Sequence, residues 1–144
     1  MQVREAMTTD VELIDPEQTL REAARLMADR DIGALPIRDG DRLVGLVTDR
    51  DITIRAVAEG KSLDTPVREV MTKDVKYCFE DEELSHIAQN MGDIQVKRLV
   101  VLDRNKQLVG IVSLADIANT EGVQEAGEAV CGISEPSSEH RAHH

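Results

Sequence analysis

Arg4-Glu5-Ala6-Met7-Thr8 returns as Arg68-Glu69-Val70-Met71-Thr72, an offset of 64 positions within a chain of 144 residues. Outward from these two stretches the same offset holds. Asp10-Val11 meets Asp74-Val75, Leu20 meets Leu84, Ala24 meets Ala88 and Met27 meets Met91. Leu35 then meets Leu99, and Asp39 meets Asp103. One extra residue in the second copy shifts the offset to 65, after which Leu43-Val44-Gly45 meets Leu108-Val109-Gly110 and Asp51-Ile52 meets Asp116-Ile117. Chance would supply about three matches over such a span, from the roughly 7% frequency of common residues. The chain is a duplication, and internal repetition decides the fold before any local reading.

Each copy reads the same way. Residues 11–14 form a short β-favouring run closed by Asp15-Pro16, a turn signal. Leu20, Ala23, Ala24 and Met27 follow at helical spacing, and Leu84, Ile87, Ala88 and Met91 repeat it. Two strands, 34–38 and 42–48, flank Asp39-Gly40, a tight-hairpin pair. A second helix is expected over about 49–59, with its counterpart over about 114–119. The fold class is therefore α/β (α+β), as tandem β-α-β-β-α repeats over 4–60 and 68–120, joined by a linker at 61–67. From 121 to 144 the composition turns to Gly, Glu, Ser and His, and a flexible tail or loose helix is expected. Its His140, His143 and His144 could hold a metal only weakly.

Apolar residues make up 41% of the chain but aromatics only 1%, so the core must be aliphatic. A net charge of −11, with acids spread along the chain, disfavours a nucleic-acid or anionic-membrane surface. No stretch reaches the roughly 20 apolar residues of a membrane-spanning helix. The opening residues lack the basic-then-apolar build of a signal peptide, and a cytoplasmic setting is expected. Cys78 and Cys131 match no metal or redox spacing. His86 is the sole histidine outside the tail, and no phosphate-binding glycine loop or His-Glu metal motif occurs. No catalytic residue and no metal centre is expected, and the chain is not read as an enzyme.

What does recur is a strand followed by hydroxyl, two residues, carboxylate: Thr48-Asp49-Arg50-Asp51 and Ser113-Leu114-Ala115-Asp116. One reading is a helix start, with the hydroxyl capping a backbone N–H. The other uses the same geometry for a ligand, the hydroxyl toward a phosphate and the carboxylate toward a ribose diol, as acidic residues do in dinucleotide folds. The two are compatible.

The segment Asp31-Ile32-Gly33-Ala34-Leu35-Pro36-Ile37, its hairpin, and Leu43-Val44-Gly45-Leu46-Val47-Thr48-Asp49-Arg50-Asp51-Ile52 resemble the signature of a cystathionine β-synthase (CBS) domain. Val96-Lys97-Arg98-Leu99-Val100-Val101-Leu102-Asp103 with the Ser113–Asp116 strand end resembles it again. The likeness runs from residue 4 to about 119. It implies a CBS pair, or Bateman module, whose repeats pack through their sheets about a pseudo-two-fold, leaving two clefts.

Carried over residue by residue, the resemblance implies one cleft of Met7, Glu12, Ile32, Gly33, Ala34 and Pro36 with Ser113 and Asp116. It implies a second of Met71, Lys76, Val96, Lys97 and Arg98 with Thr48, Arg50 and Asp51. Asp116 or Asp51 would hold the ribose, and the hydroxyls with nearby Arg and Lys the phosphates. Ile32, Ala34, Pro36 and Val96 read equally as plain core, and Arg50, Lys97 and Arg98 as solvated surface charges. Val100 and Lys97 depart from the Pro and the small residue or His frequent in the family, which favours the first cleft for the base. The implied function is a signal-transduction sensor of an adenosine-containing ligand: AMP, ADP, ATP, NAD or S-adenosylmethionine. Such pairs associate as homodimers, and an apolar excess at Ile52, Ile54, Val57 and Ala58 fits this. An unidentified regulated protein partner is implied. The rival is a ligand-independent scaffold for dimerisation and protein docking.

Overall fold

The computed structural model describes residues 1–120 and 123–134. It holds two compact units. The first is Asp10–Val75; the second joins Met1–Thr9 to the chain from Lys76 onward.

In the first unit, helix α1 (Leu20–Arg30) precedes an antiparallel hairpin of β1 (Ala34–Asp39) and β2 (Arg42–Thr48). Helix α1 starts where Thr19 accepts from the Glu22 N–H while Glu22 reaches back to Thr19, a reciprocal cap. Leu20, Ala23 and Met27 pack from α1 onto Leu35, Ile37 and Val47 of the hairpin. After β2 comes α2 (Asp49–Asp51), continued by a π-helical turn over Ile52–Val57 rather than the uninterrupted α-helix expected over 49–59. The Thr53 hydroxyl donates to the Asp49 carbonyl at 3.0 Å, a back-bond that loosens helices, and the Ala58 N–H skips to the Thr53 carbonyl at 2.9 Å.

In the second unit β3 (Tyr77–Phe79) lies parallel to β4 (Arg98–Leu102), which pairs antiparallel with β5 (Leu108–Ser113). Helix α3 (Leu84–Ile94) buries Leu84, Ile87, Ala88, Met91 and Gly92. Helix α4 (Leu114–Asn119) follows β5 and buries Ile117.

The two units differ in one strand. The expected run at 11–14 is reduced to a single parallel bridge, Ile14 to Ile37, whereas Tyr77–Phe79 forms a strand. Position 36 explains it. In the second unit the Val100 N–H donates to the Lys76 carbonyl at 3.2 Å. Pro36, the equivalent of Val100, has no N–H to give Glu12, the equivalent of Lys76.

Each repeat's leading segment packs on the other repeat. Val3 is wholly buried among Cys78, Leu84, Ile87 and Val112. Val67 and Val70 are buried among Leu20, Leu35 and Val47. Matching backbone bonds fasten them: Val3 N–H to the Glu82 carbonyl at 2.9 Å and Val67 N–H to the Gln18 carbonyl at 2.8 Å. The compact units are thus not cut where the sequence repeats are.

The stretch expected as a flexible tail or loose helix carries helix α5 (Val123–Ser134), which packs along α3 and α4. A Cβ on Gly132 would sit 2.5 Å from the Gly92 Cα, so the two glycines allow the backbones to touch. The Gln95 amide donates to the Gly132 carbonyl at 3.2 Å. The first unit has no helix equivalent to α5, and Ala24, expected on the inward face of α1, is exposed while its counterpart Ala88 is buried. His140, His143 and His144 lie outside the described residues.

Candidate functional site

Both hydroxyl-carboxylate motifs stand at the point where a strand ends and a helix begins. The Asp51 N–H donates to the Thr48 hydroxyl at 3.1 Å, and the Thr48 N–H donates to Asp51 Oδ2 at 3.0 Å. Ser113 and Asp116 repeat this at 3.2 and 3.0 Å. Capping consumes the hydroxyl acceptor and one carboxylate oxygen in each case. The second oxygen, Oδ1, is turned elsewhere. That of Asp116 receives the Thr8 hydroxyl at 3.5 Å, and that of Asp51 faces Arg55 Nε at 3.7 Å.

The leading segments build the wall beside these carboxylates. Thr8 pairs with Ile111 on the free edge of β5, at 2.8 and 3.0 Å. Thr72 pairs likewise with Leu46 on β2, at 2.8 and 3.0 Å. Met7 and Met71 then cross Gly110 and Gly45. A Cβ on Gly110 would fall 2.7 Å from the Thr8 carbonyl oxygen and 2.8 Å from the Met7 Sδ. A Cβ on Gly45 would fall 2.6 Å from the Met71 Sδ. Each unit therefore has one strand-end site: Met7, Thr8, Ser113 and Asp116 in the second, Met71, Thr72, Thr48 and Asp51 in the first.

The remaining candidates fall as follows. Ala34 pairs across the hairpin with Thr48, and the Gly33 carbonyl accepts the Asp49 N–H at 3.0 Å. Arg98 pairs with Ser113, and the Lys97 carbonyl accepts the Leu114 N–H at 3.2 Å. Ala34 and Pro36 are buried, while Ile32 stays exposed. Val96 packs against the core of its own unit. Glu12 is held by the Arg30 guanidinium, and Lys76 gives its carbonyl to Val100. Arg50 lines a shallow cavity of about 290 Å³ with Asp49, Thr53 and Ile54, apart from Met71. Sequence reasoning passed over Thr8, Thr72, Gly45, Gly110 and Arg55. The matched Thr and Gly pairs were visible signals; Arg55 meets the Met71 carbonyl only through the fold. Among the described residues no group of His, Cys, Asp or Glu has metal-holding geometry, and no helix is long and apolar enough to cross a membrane.

The CBS-domain family model matches this chain twice, over residues 3–57 and 67–121. The chain belongs to the CBS-domain family. It carries the domain as a tandem pair. The CBS domain-containing protein YhcV of Bacillus subtilis is 41% identical over 133 residues, covering 92% of this chain and 94% of that protein. Among solved structures, the CBS domain pair of protein MJ0100, in complex with 5′-methylthioadenosine and S-adenosyl-L-methionine, is 29% identical with a TM-score of 0.76. That similarity covers 86% of this chain and 98% of the other. The CBS domain protein PAE2072 of Pyrobaculum aerophilum, complexed with AMP, is 25% identical with a TM-score of 0.77, covering 88% and 98%. The duplicated strand-helix units and their capped strand ends are thus the CBS fold.

Proposed function

We propose that this CBS pair is a non-catalytic regulatory module that binds an adenosine-containing ligand at its strand-end sites. The observation that carries the reading is the division of labour within Asp51 and Asp116. One oxygen of each is spent on the helix cap, and the other, Oδ1, carries only a longer contact, to the Thr8 hydroxyl at 3.5 Å in Asp116 and to Arg55 Nε at 3.7 Å in Asp51. A ribose diol supplies the two hydroxyl donors that such an oxygen accepts. AMP in PAE2072, and S-adenosylmethionine with methylthioadenosine in MJ0100, support adenosine as the shared element. ADP, ATP and NAD share it too.

Signalling follows from population shift: a ligand that contacts one conformation more favourably than another moves the equilibrium by that difference. A regulated protein partner would read the change. Homodimerisation is proposed through the π-helical turn after α2, where Ile54 and Val57 are 49% and 63% exposed.

Calorimetric titration with AMP, ATP, NAD and S-adenosylmethionine tests the reading. Asp116→Asn and Asp51→Asn keep an acceptor for the cap but present an amide to the ribose. Each is expected to weaken binding at its site about tenfold, the worth of one hydrogen bond to a charged group. Absence of heat with all four ligands would instead favour the ligand-independent scaffold. Light scattering of the same samples should give the mass of a dimer, and a monomer would remove that part.

A further inference from the structure

The chain has one tyrosine, one phenylalanine and no tryptophan, and both aromatic residues stand on β3. Neither belongs to the core: Cys78 between them is buried, while Tyr77 is 49% exposed. The two rings meet edge to face at 5.7 Å and line an open cavity of about 400 Å³, a size suited to a small ligand. The lining also includes Glu82, Asn90, Ile94 and Leu99, all within the second unit. We infer that this cavity binds a small primary amine carried on an apolar body, with Glu82 as its counter-ion. The inference goes beyond the adenosine reading and shares no residue with the strand-end sites.

Glu82 is singled out by what its neighbours do. In the acidic run 80–83, Glu80 pairs with Arg4 at 3.2 Å and Glu83 with the N-terminal amine at 3.4 Å. Asp81 takes Arg104 Nε and Nη2 at 2.9 and 2.8 Å. Glu82 makes no ion pair among the described residues; its Oε2 accepts the Phe79 N–H at 2.7 Å. Arg104 is near enough to feel the Glu82 charge, but its fork is held by Asp81, so the three groups together keep one negative charge. The Asn90 amide nitrogen faces His86 Nε2 at 3.4 Å, which leaves the Asn90 carbonyl oxygen as a second acceptor for an ammonium. Aromatic and aliphatic walls beside an unpaired carboxylate favour a positive charge on an apolar carrier.

The duplication shows which of these features the fold itself requires. At the equivalent turn of the first unit, Gln18 Oε1 accepts the Asp15 N–H at 2.8 Å, so a neutral amide serves where Glu82 stands. The charge at 82 is surplus to the turn. Leu13, Asp15 and Leu26 occupy the places of Tyr77, Phe79 and Asn90. Arg30 occupies that of Ile94, and its guanidinium reaches back to Glu12. An ion pair bridges that flank of the first unit, whereas Ile94 stays 45% exposed at the cavity of the second.

Tyr77 is the sole tyrosine in a chain without tryptophan, so its fluorescence reports this cavity. The full chain is titrated with phenethylamine, and with phenethyl alcohol as the uncharged match. The amine should bind about tenfold more tightly, the worth of one hydrogen bond to a charged group, and the preference should shrink as salt rises. Glu82→Gln repeats Gln18 and keeps the acceptor for Phe79; it should bring the two compounds within about twofold of each other. Ile94→Arg repeats Arg30 and places a cation beside Glu82; it should weaken the amine about tenfold or more. A melting curve confirms that each variant folds. Equal affinity for amine and alcohol, or a Glu82→Gln chain that keeps the preference, overturns the assignment. So does a Tyr77 signal unmoved by about 10 mM amine, well above the ~1 mM dissociation constant expected of about nine non-hydrogen atoms.

Discussion

Cys78 and Cys131 show how one residue type takes opposite characters from its surroundings. Cys78 lies on β3 with its side chain in the core, and burial, with a smaller contribution from the Glu82 charge, pushes its thiol up to about 12. Cys131 is exposed on α5. At pH 8 a disulfide reagent should therefore modify one thiol of the native protein and two only after unfolding; two fast thiols in the native state would contradict the packing. The same shift has a sign for stability. Up to the ordinary thiol value near 9, the proton is bound in folded and unfolded chains alike. Above it the unfolded chain ionises while Cys78 stays protonated until about 12, so stability falls across that window. Cys78→Val should flatten the fall in a denaturation series from pH 8 to 11. Asp81 acts in the other direction: the bidentate Arg104 fork at 2.8 and 2.9 Å holds its carboxyl below the usual range, so its contribution is lost as pH falls.

Among the elements, α5 and β3 mark where the two copies part. Helix α5 rests on α3 through a glycine-to-glycine contact, and any side chain at 132 must push the helices apart. Gly132→Ala is expected to cost about 1–3 kcal/mol, the range for overfilling a packed site. The readout is a lower melting temperature with faster amide exchange in α3 and α5, and unchanged exchange in α1. A strand was expected at 11–14 and, because each copy reads the same way, at its equivalent 75–78, yet only the second copy forms one, as β3. Pattern alone does not say whether the neighbouring strand can donate a hydrogen bond, and Pro36 cannot. The capped strand ends were legible because a cap is a local interaction spanning three residues, and Thr48, Asp51, Ser113 and Asp116 stand as their spacing indicates.

For the molecule as a whole, the crossing of leading segments matters most. Val3 completes the core around Met91 and Val112, and Thr8 supplies the outer edge of β5, although both precede the first repeat's own helix. Removing residues 1–9 should therefore injure the second repeat. Loss of the buried Val3 alone forfeits ~2 kcal/mol, and the Thr8–Ile111 pairing goes with it. Hydrogen exchange of the truncated chain is expected to rise in β5 and α4 while α1 and β1 hold their protection. Uniform deprotection, or damage confined to α1 and β1, would refute the assignment of the segment. By the same reasoning a fragment ending at residue 60 lacks Val67 and Val70 and should not fold alone.

The sequence by itself determined the duplication, the helix and hairpin of each copy, the aliphatic core and the two capped carboxylates. These follow from periodicity, turn chemistry and contacts a few residues apart, which a linear reading can see. Only the tertiary structure decided that Met7 crosses Gly110, that Thr8 reaches Asp116, that Tyr77, Glu82 and Ile94 share one cavity, and that α5 covers one unit. The physical reason is range. Such contacts join residues that chain connectivity does not hold together, so their partners are selected by the burial of Val3 and Val67 and by the close approach of Gly132 to Gly92 rather than by any local preference.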